Sequence, residues 1–225
     1  TGRQRAIEKG IRWLENFLID EGRGGIREGL RHNILPDGTQ LTADAVRNDC
    51  CGEAAGAFAM YGYLKKDERS SIIAKNIRTL MRDAFVIRKE PFAGMMRWTA
   101  EAWEVCYPDD AARAAIPALM SALYMDDEQF VGDAYASLDF LLGVTCRDGL
   151  PHARYDKWNY TPESLADIRN GEHGTPSAHY TAYHLAALLL AYKKCGKSEY
   201  LETARKGLET LMGLYPELRR EQSET

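Results

Sequence analysis

Three side chains that can move protons occupy equivalent positions in an internal repeat of this 225-residue chain. Asp49 and Asp109 lie 60 residues apart, and His179 follows Asp109 by 70 residues. Carboxyl and imidazole groups are common general acids and bases in enzymes. Asp110 adds a second carboxyl group beside Asp109, and paired carboxyl groups are what the hydrolysis of a glycosidic bond requires. We therefore predict that these four residues are catalytic and that Asp49, Asp109 and His179 lie around one cavity mouth.

Aromatic and arginine side chains accompany these residues in the same segments. Three of the four tryptophans fall outside the predicted helices, where packing gives them little reason to be. An indole ring can cover the apolar face of a sugar, and an arginine can hold hydroxyl or carboxylate groups. The same tryptophans would alternatively cap the ends of a helical core. The predicted substrate-binding residues are Arg47, Trp98, Trp103, Arg113, His152, Arg154, Trp158 and Tyr180.

The aspartates also have a structural explanation. Asp49 and the pair Asp109-Asp110 stand where helices are predicted to begin. An aspartate there accepts hydrogen bonds from free backbone N–H groups and suits the helix dipole. Capping accounts for one residue of the pair but not for both. Arg113, one turn further on, is placed either to pair with Asp109 at i+4 or to hold a substrate group.

The histidines allow a different chemistry. His179 can move a proton near neutral pH, with Tyr180 beside it as a donor to an oxygen, and His152 is a second proton carrier. The spacing of His152, His173 and His179 matches no metal motif. Glycine-rich phosphate or dinucleotide motifs do not occur in the sequence, so we predict no metal and no cofactor.

The repeat itself predicts helices. One apolar triplet with the i, i+4, i+7 spacing of a helix face occurs three times, as Ala55/Ala59/Gly62, Ala115/Leu119/Ala122 and Leu185/Leu189/Tyr192. The predicted helices cover residues 4–19, 49–65, 68–85, 110–124, 128–145, 178–195 and 198–214. One helix pair cannot bury its apolar face alone, so repeated pairs must stack. We predict an all-α fold of about three and a half helix pairs in one domain over residues 1–225, or a fragment of a larger array.

The connections between the helices alternate in length. Within each pair the turn is short, whereas long segments at about 20–48, 86–109 and 146–177 separate the pairs. Loops of this length are uncommon unless they have a function. All three follow the same kind of helix end, so we predict that they gather on one face, opposite the short turns.

The first predicted helix has no partner before it in the sequence. Ile7, Ile11, Leu14 and Phe17 form an apolar stripe along this helix. An apolar patch of this size is rarely left open on a soluble monomer. We therefore expect the stripe to pack on the helix at 49–65, on a second copy of the chain, or on further chain upstream.

The bulk composition excludes some classes of partner. The net charge is −4, which does not favour nucleic acid, and no apolar run is as long as a membrane span. Five cysteines without a metal-binding spacing are typical of reduced thiols. We therefore predict a cytoplasmic protein that binds neither nucleic acid nor membrane.

Two motifs carry a resemblance to a known superfamily. They are Arg-Asn-Asp-Cys-Cys-Gly-Glu-Ala-Ala at 47–55 and Tyr-Pro-Asp-Asp-Ala-Ala-Arg-Ala at 107–114. With the paired helices and long acidic, aromatic loops, the chain resembles the (α/α) toroids of the six-hairpin glycosidases. This resemblance implies a partial toroid, a carbohydrate substrate, and catalysis by the aspartates.

The resemblance also leaves two alternatives. Related toroids of the N-acylglucosamine 2-epimerase type use histidines, which would point to His179 and to a sugar epimerase or isomerase. The third reading is a non-catalytic helical-repeat module that binds glycans or proteins.

Overall fold

The computed structural model describes residues 2–102 and 104–215, and these residues are mainly helical. The α-helices are α1 (Gly2–Phe17), α2 (Asn48–Lys65), α3 (Glu68–Leu80), α4 (Pro108–Tyr124), α5 (Val131–Gly143), α6 (Pro162–Asn170), α7 (Tyr180–Cys195) and α8 (Ser198–Gly213). A π-helical turn, Met81–Phe85, continues α3, and a 3₁₀ turn spans Lys157–Asn159.

The strands are short and form three two-stranded antiparallel sheets. They pair as β1 (Ile19–Asp20) with β2 (Gly25–Ile26), β3 (Gly29–Ile34) with β4 (Gln40–Ala43), and β5 (Val105–Cys106) with β6 (Tyr155–Asp156). The described part of the chain is therefore an all-α fold with small sheets in its loops, as predicted.

Three antiparallel helix pairs form the body of the molecule. The pairs are α2 with α3, α4 with α5, and α7 with α8. The first helix of each pair belongs to an inner row, in which α4 packs against both α2 and α7. The repeated triplets lie on these inner helices, and their alanines and leucines are largely buried. The predicted helix-pair architecture is confirmed.

Small residues allow the inner helices to approach closely. A methyl group added at Gly52 would lie 2.4 Å from the Cα of Ala114, and one added at Gly56 would lie 2.4 Å from the Cβ of Pro117. Both distances are far below van der Waals contact. The two glycines, one turn apart on α2, therefore set the distance between α2 and α4.

The three long loops lie together at one end of the helix pairs. Arg47 in the first loop forms a β-bridge with Thr99 in the second. The second and third loops are joined by the pairing of β5 with β6, and by an ion pair between Glu104 and Lys157. The inner helices α2, α4 and α7 all begin at this end, and the short turns follow their other ends. The prediction of one loop face is confirmed.

One helix was not predicted. Residues 146–177 were expected to be loop, but they contain α6. Thr161 and Ser164 form a reciprocal capping box at its start, and Pro162 occupies its first turn. Of its nine residues only Leu165 and Ile168 are buried. This apolar pattern is too short to show helical periodicity, although the cap and the proline are a readable signal.

The apolar stripe of α1 is only partly covered. Ile11 is buried and Leu14 packs against the core, but Ile7 and Phe17 remain 58% and 56% exposed. Ion pairs of Arg12 with Asp67, before α3, and of Glu15 with Arg69, in its first turn, hold the helix in place. Of the three predicted ways to cover the stripe, packing on α2 therefore accounts for Ile11 and Leu14 but not for Ile7 and Phe17.

Among the helices of the described residues, none is both long enough and apolar enough to span a membrane.

Candidate functional site

A cavity of about 340 Å³ opens on the loop face, beside the first turn of α4. Its wall combines two carboxyl groups with aromatic, imidazole and hydroxyl side chains. The lining residues are Arg47, Trp98, Tyr107, Pro108, Asp109, Asp110, Pro151, His152, Ala153, Thr175, Ser177, Tyr180 and Thr181. Residues from all three long loops therefore form one site.

The start of α4 places both carboxyl groups of the aspartate pair on this wall. Pro108 occupies the first turn, and the N-cap residue Tyr107 makes no side-chain capping bond. Asp109 and Asp110 follow in the same turn, among the free N–H groups of the helix end. Asp109 is half-buried, whereas Asp110 is only 3% exposed.

Arg47 joins three carboxylates at the base of the cavity. Its Nη2 lies 3.2 Å from Oδ1 of Asp110, and its Nε lies 3.2 Å from Oδ1 of Asp49. Its Nη1 donates to Oε1 of Glu28 at 2.9 Å. The guanidinium therefore connects the first turn of α2 to the first turn of α4.

Asp49 lies behind the wall, between two arginines. It is 2% exposed and is not a lining residue. Nη1 of Arg113 lies 2.8 Å from Oδ2 of Asp49, and Nε of Arg113 donates to Oε1 of Glu53 at 2.8 Å. The expected i+4 pairing of Arg113 with Asp109 is therefore wrong, because Arg113 points across to α2. Arg113 is also not a lining residue, contrary to its predicted contact with substrate.

Burial and like charge change the acidity of the aspartate pair. Burial, together with the carboxylates of Asp49 and Asp109, raises the pKa of Asp110 from 3.8 to about 7, against the opposing effect of Arg47. Burial also raises the pKa of Asp109, although nearby backbone N–H groups and Arg113 oppose the shift. Near neutral pH the pair can therefore share a proton, which gives one acid and one carboxylate.

Trp98 and Tyr107 give the cavity an aromatic side. Their rings are T-shaped with centroids 6.0 Å apart, and the guanidinium of Arg47 lies 5.8 Å from the centroid of Trp98. The backbone fixes this position, because the carbonyl of Trp98 accepts a hydrogen bond from the N–H of Asn48 at 3.0 Å. Of the three predicted tryptophans, Trp98 is thus on the wall.

The third loop supplies the imidazole and hydroxyl groups. His152 lines the cavity with its ring stacked on Tyr155 at 6.1 Å, and Tyr180 lines it from the start of α7. His179 is not a lining residue, and its ring lies 4.9 Å from that of Tyr180 and 5.5 Å from that of Tyr183. The structure thus brings His152 and Tyr180 to the cavity and leaves His179 beside it.

The remaining predicted binding residues are not on the wall. Arg154 is exposed, forms an ion pair with Asp156 at 2.9 Å, and places its guanidinium 5.8 Å from the ring of Tyr107. Trp158 is 78% exposed in the 3₁₀ turn, outside the cavity lining. Trp103 lies outside the described residues.

Three hydroxyl residues on the wall were not predicted. Thr175, Ser177 and Thr181 all line the cavity around the start of α7. Threonine and serine are common in loops and at helix starts, so their residue types alone do not mark a site. Their closeness in sequence to His179 and Tyr180 is the feature from which a place at the site could have been predicted.

Comparison with known proteins gave similarity in structure only. No family model and no curated protein sequence matches the chain. A possible member of the GH105 family from Salmonella enterica serovar Paratyphi A superposes with a TM-score of 0.69 and 14% identity, covering 97% of this chain and 56% of that one. A D-mannose isomerase superposes with a TM-score of 0.59 and 15% identity, covering 92% of this chain and 49% of that one.

A third similar structure is an inactive variant of a GH76 α-1,6-mannanase from Salegentibacter sp. HEL1_6, in complex with α-1,6-mannotriose. It has a TM-score of 0.55 and 13% identity, and the match covers 92% of this chain and 69% of that one. In that variant two consecutive aspartates are replaced by asparagine. The chain spans about half the length of the GH105-family structure and about half that of the D-mannose isomerase. The described part of the chain therefore has the (α/α) toroid fold of these structures, as a partial array of helix pairs.

Proposed function

We propose that the chain carries the acid–base centre of a glycoside hydrolase. The observation that supports this most directly is the position of Asp109 and Asp110, consecutive at the start of α4 and both on the wall of one cavity. Hydrolysis of a glycosidic bond needs one carboxylic acid and one carboxylate on the two sides of the reacting carbon.

Asp110 is the proposed general acid. An efficient general acid has a pKa near the working pH, and burial beside Asp49 and Asp109 raises the pKa of Asp110 to about 7. Its proton passes to the glycosidic oxygen as the bond between that oxygen and the anomeric carbon breaks. Asp109 then acts as the carboxylate that attacks the anomeric carbon or takes a proton from the attacking water.

Asp49 and Arg47 support this pair from behind. Asp49 was predicted to be catalytic, but its burial between Arg47 and Arg113 suits a supporting role better. Its negative charge opposes ionisation of Asp110, while Arg47 holds Asp110 in a fixed orientation. The two effects together keep a buried carboxyl protonated and in place.

The rest of the wall suits a sugar. The ring of Trp98 offers an apolar surface, and the hydroxyl groups of Thr175, Ser177 and Tyr180 are hydrogen-bonding partners for sugar hydroxyls. The fold adds support, because the similar structures include a mannanase whose variant with two consecutive aspartates replaced is inactive.

Matched isosteric variants test this function. Asp110→Asn and Asp109→Asn should each lower kcat/KM on the responsive members of a panel of aryl glycosides and α-1,6-mannan by about 10²–10⁴-fold, since each removes a proton-transfer group. Asp167→Asn, at an exposed position on α6, is the control and should leave turnover unchanged. Full turnover in both pair variants would reject the carboxylate mechanism.

A second candidate is a sugar epimerase or isomerase, which His152 on the cavity wall favours. Such an enzyme moves a proton on a sugar carbon and leaves every glycosidic bond intact. Reaction in D₂O separates the two functions, because isomerisation by proton transfer incorporates deuterium into the sugar carbon, and hydrolysis does not. Glycan binding without either reaction would support the third alternative, a binding module.

A further inference from the structure

Two arginine side chains lie at the cavity or behind it, and both are already paired with carboxylates. Arg47 is the cation on the wall, but its guanidinium already meets the carboxylates of Glu28, Asp49 and Asp110. The second arginine of the cluster, Arg113, is engaged with Asp49 and Glu53. Both guanidinium groups thus bind carboxylates of the protein itself.

The wall itself presents a carboxyl group. Asp109 lines the cavity and is half-buried, and it forms no ion pair with any of the described residues. Arg154, the next cation on this side, is paired with Asp156 and is held over the ring of Tyr107. An anionic group that enters the cavity is therefore placed beside the carboxyl group of Asp109, while the arginines around the cavity are already paired.

Beside the imidazole of His152, the third loop and the start of α7 place hydroxyl groups on the wall. Thr175, Ser177 and Tyr180 each carry a hydroxyl group that can donate and accept hydrogen bonds, whereas the hydroxyl of Thr181 donates to the carbonyl of Thr175 at 3.2 Å. Sugar hydroxyls have the same dual character, whereas a sugar carboxylate only accepts. Strong recognition of a carboxylate normally uses the paired N–H groups of an unpaired arginine. Here the guanidinium groups of Arg47 and Arg113 already bind carboxylates of the protein.

We propose, on the basis of the glycosidase function above, that this site takes uncharged hexose glycans and discriminates against glycans with a uronic acid at the reacting residue, with Asp109 as the discriminating residue. Asp109 thus has two roles, one in the reaction and one in excluding anionic sugars. The similar structures include an endo-1,4-D-glucanase and an α-1,6-mannanase, so the fold alone does not determine which sugar is bound.

Binding of sugar pairs that differ only at C6 tests the proposal. The probes are the methyl glycosides of glucose and glucuronate, of galactose and galacturonate, and of mannose and mannuronate. Binding is followed by NMR at the indole N–H of Trp98, assigned by its loss in Trp98→Phe. In the native chain at low salt, the neutral member of the pair that binds should have at least a 10-fold lower Kd. The difference should shrink at high salt, because screening weakens the repulsion.

A charge-removing variant isolates the contribution of Asp109. Asp109→Asn should tighten uronate binding by about 10-fold and so bring the ratio of the uronate Kd to the neutral-sugar Kd close to one, because the change removes a charge and keeps the shape. Asp167→Asn serves as the control and should alter neither Kd.

The outcomes separate this proposal from the function on which it rests. Uronates that bind the native chain as tightly as their neutral partners, or a neutral preference that persists in Asp109→Asn, would overturn the discrimination and leave the glycan site intact. A Trp98 signal that responds to none of the six sugars would reject both the discrimination and the glycan site.

Discussion

At the scale of single residues, the buried carboxyl of Asp110 makes stability depend on pH. The folded protein raises its pKa from 3.8 to about 7, so folding favours the protonated form. This contribution to stability is complete below pH 3.8 and is lost as the pH rises through about 7. The ionised form is the costly one, because it is buried beside Asp49 and Asp109.

Asparagine at this position cannot ionise and so does not show that loss. The Tm of Asp110→Asn minus that of the native chain should therefore increase between about pH 5 and pH 8. Thermal unfolding of both proteins across this range measures the difference. A Tm difference that stays constant with pH would show that Asp110 has an ordinary acidity in the folded state.

The positions of the site residues were predictable from the sequence only where the internal repeat determines them. Asp49, Asp109 and His179 occupy the same position in successive helix pairs, so the register brings them to the same end of the molecule. Only Asp109 of the three lines the cavity. The partner of Arg113 was not predictable in this way, because i+4 spacing describes one helix and Asp49 lies on the next. Thr175 and Ser177 belong to a segment without periodicity, so no pattern placed them at the cavity.

At the scale of helices, the α2–α4 contact depends on a residue without a side chain. A Cβ at position 52 would lie 2.4 Å from the backbone of Ala114, so Gly52→Ala must push the two helices apart. We expect a loss of about 1–3 kcal/mol in the free energy of unfolding, which is typical of overpacked interiors. Urea denaturation measures this loss.

Gly10→Ala is the matched control for this change. Gly10 lies within α1, where an added methyl group meets no atom within 4 Å. Alanine there should stabilise the chain by about 0.5–1 kcal/mol through its higher helix propensity. Equal effects of the two substitutions would show that helix propensity, and not the α2–α4 distance, governs position 52.

The helices of the pairs were predictable because their apolar faces are long and repeated. The predicted helix at 128–145 begins only at Val131, since Phe130 has a left-handed backbone conformation, with φ of 67°, that ends the preceding turn. α6 was missed because two buried residues do not establish a period. The three small sheets were also missed, since four of their six strands have only two residues.

At the scale of the whole molecule, α1 leaves apolar side chains in solvent. Ile7 and Phe17 are more than half exposed, and the ring of Trp13 lies 6.0 Å from that of Phe17. The prediction that this stripe meets a second copy or further chain stays a prediction. If a second copy covers it, the mass from light scattering should exceed that of one chain at high concentration.

A substitution in the stripe makes this test specific. Phe17→Ser should lower the measured mass towards that of a single chain, because it removes an exposed aromatic ring from the contact. Met212→Ser, at a 69% exposed position on α8, should have no such effect. A native chain that stays monomeric at all concentrations would exclude association through α1.

The links between the three long loops also bear on the order in which the molecule folds. Each helix pair is built from contacts between residues close in sequence, which form early and quickly. The bridge of Arg47 with Thr99, the pairing of β5 with β6, and the contact of Arg47 with Asp110 instead join residues about 50 or more positions apart. Such contacts form only after the pairs have docked. We therefore expect the cavity to acquire its shape late in folding and to open before the helix pairs unwind.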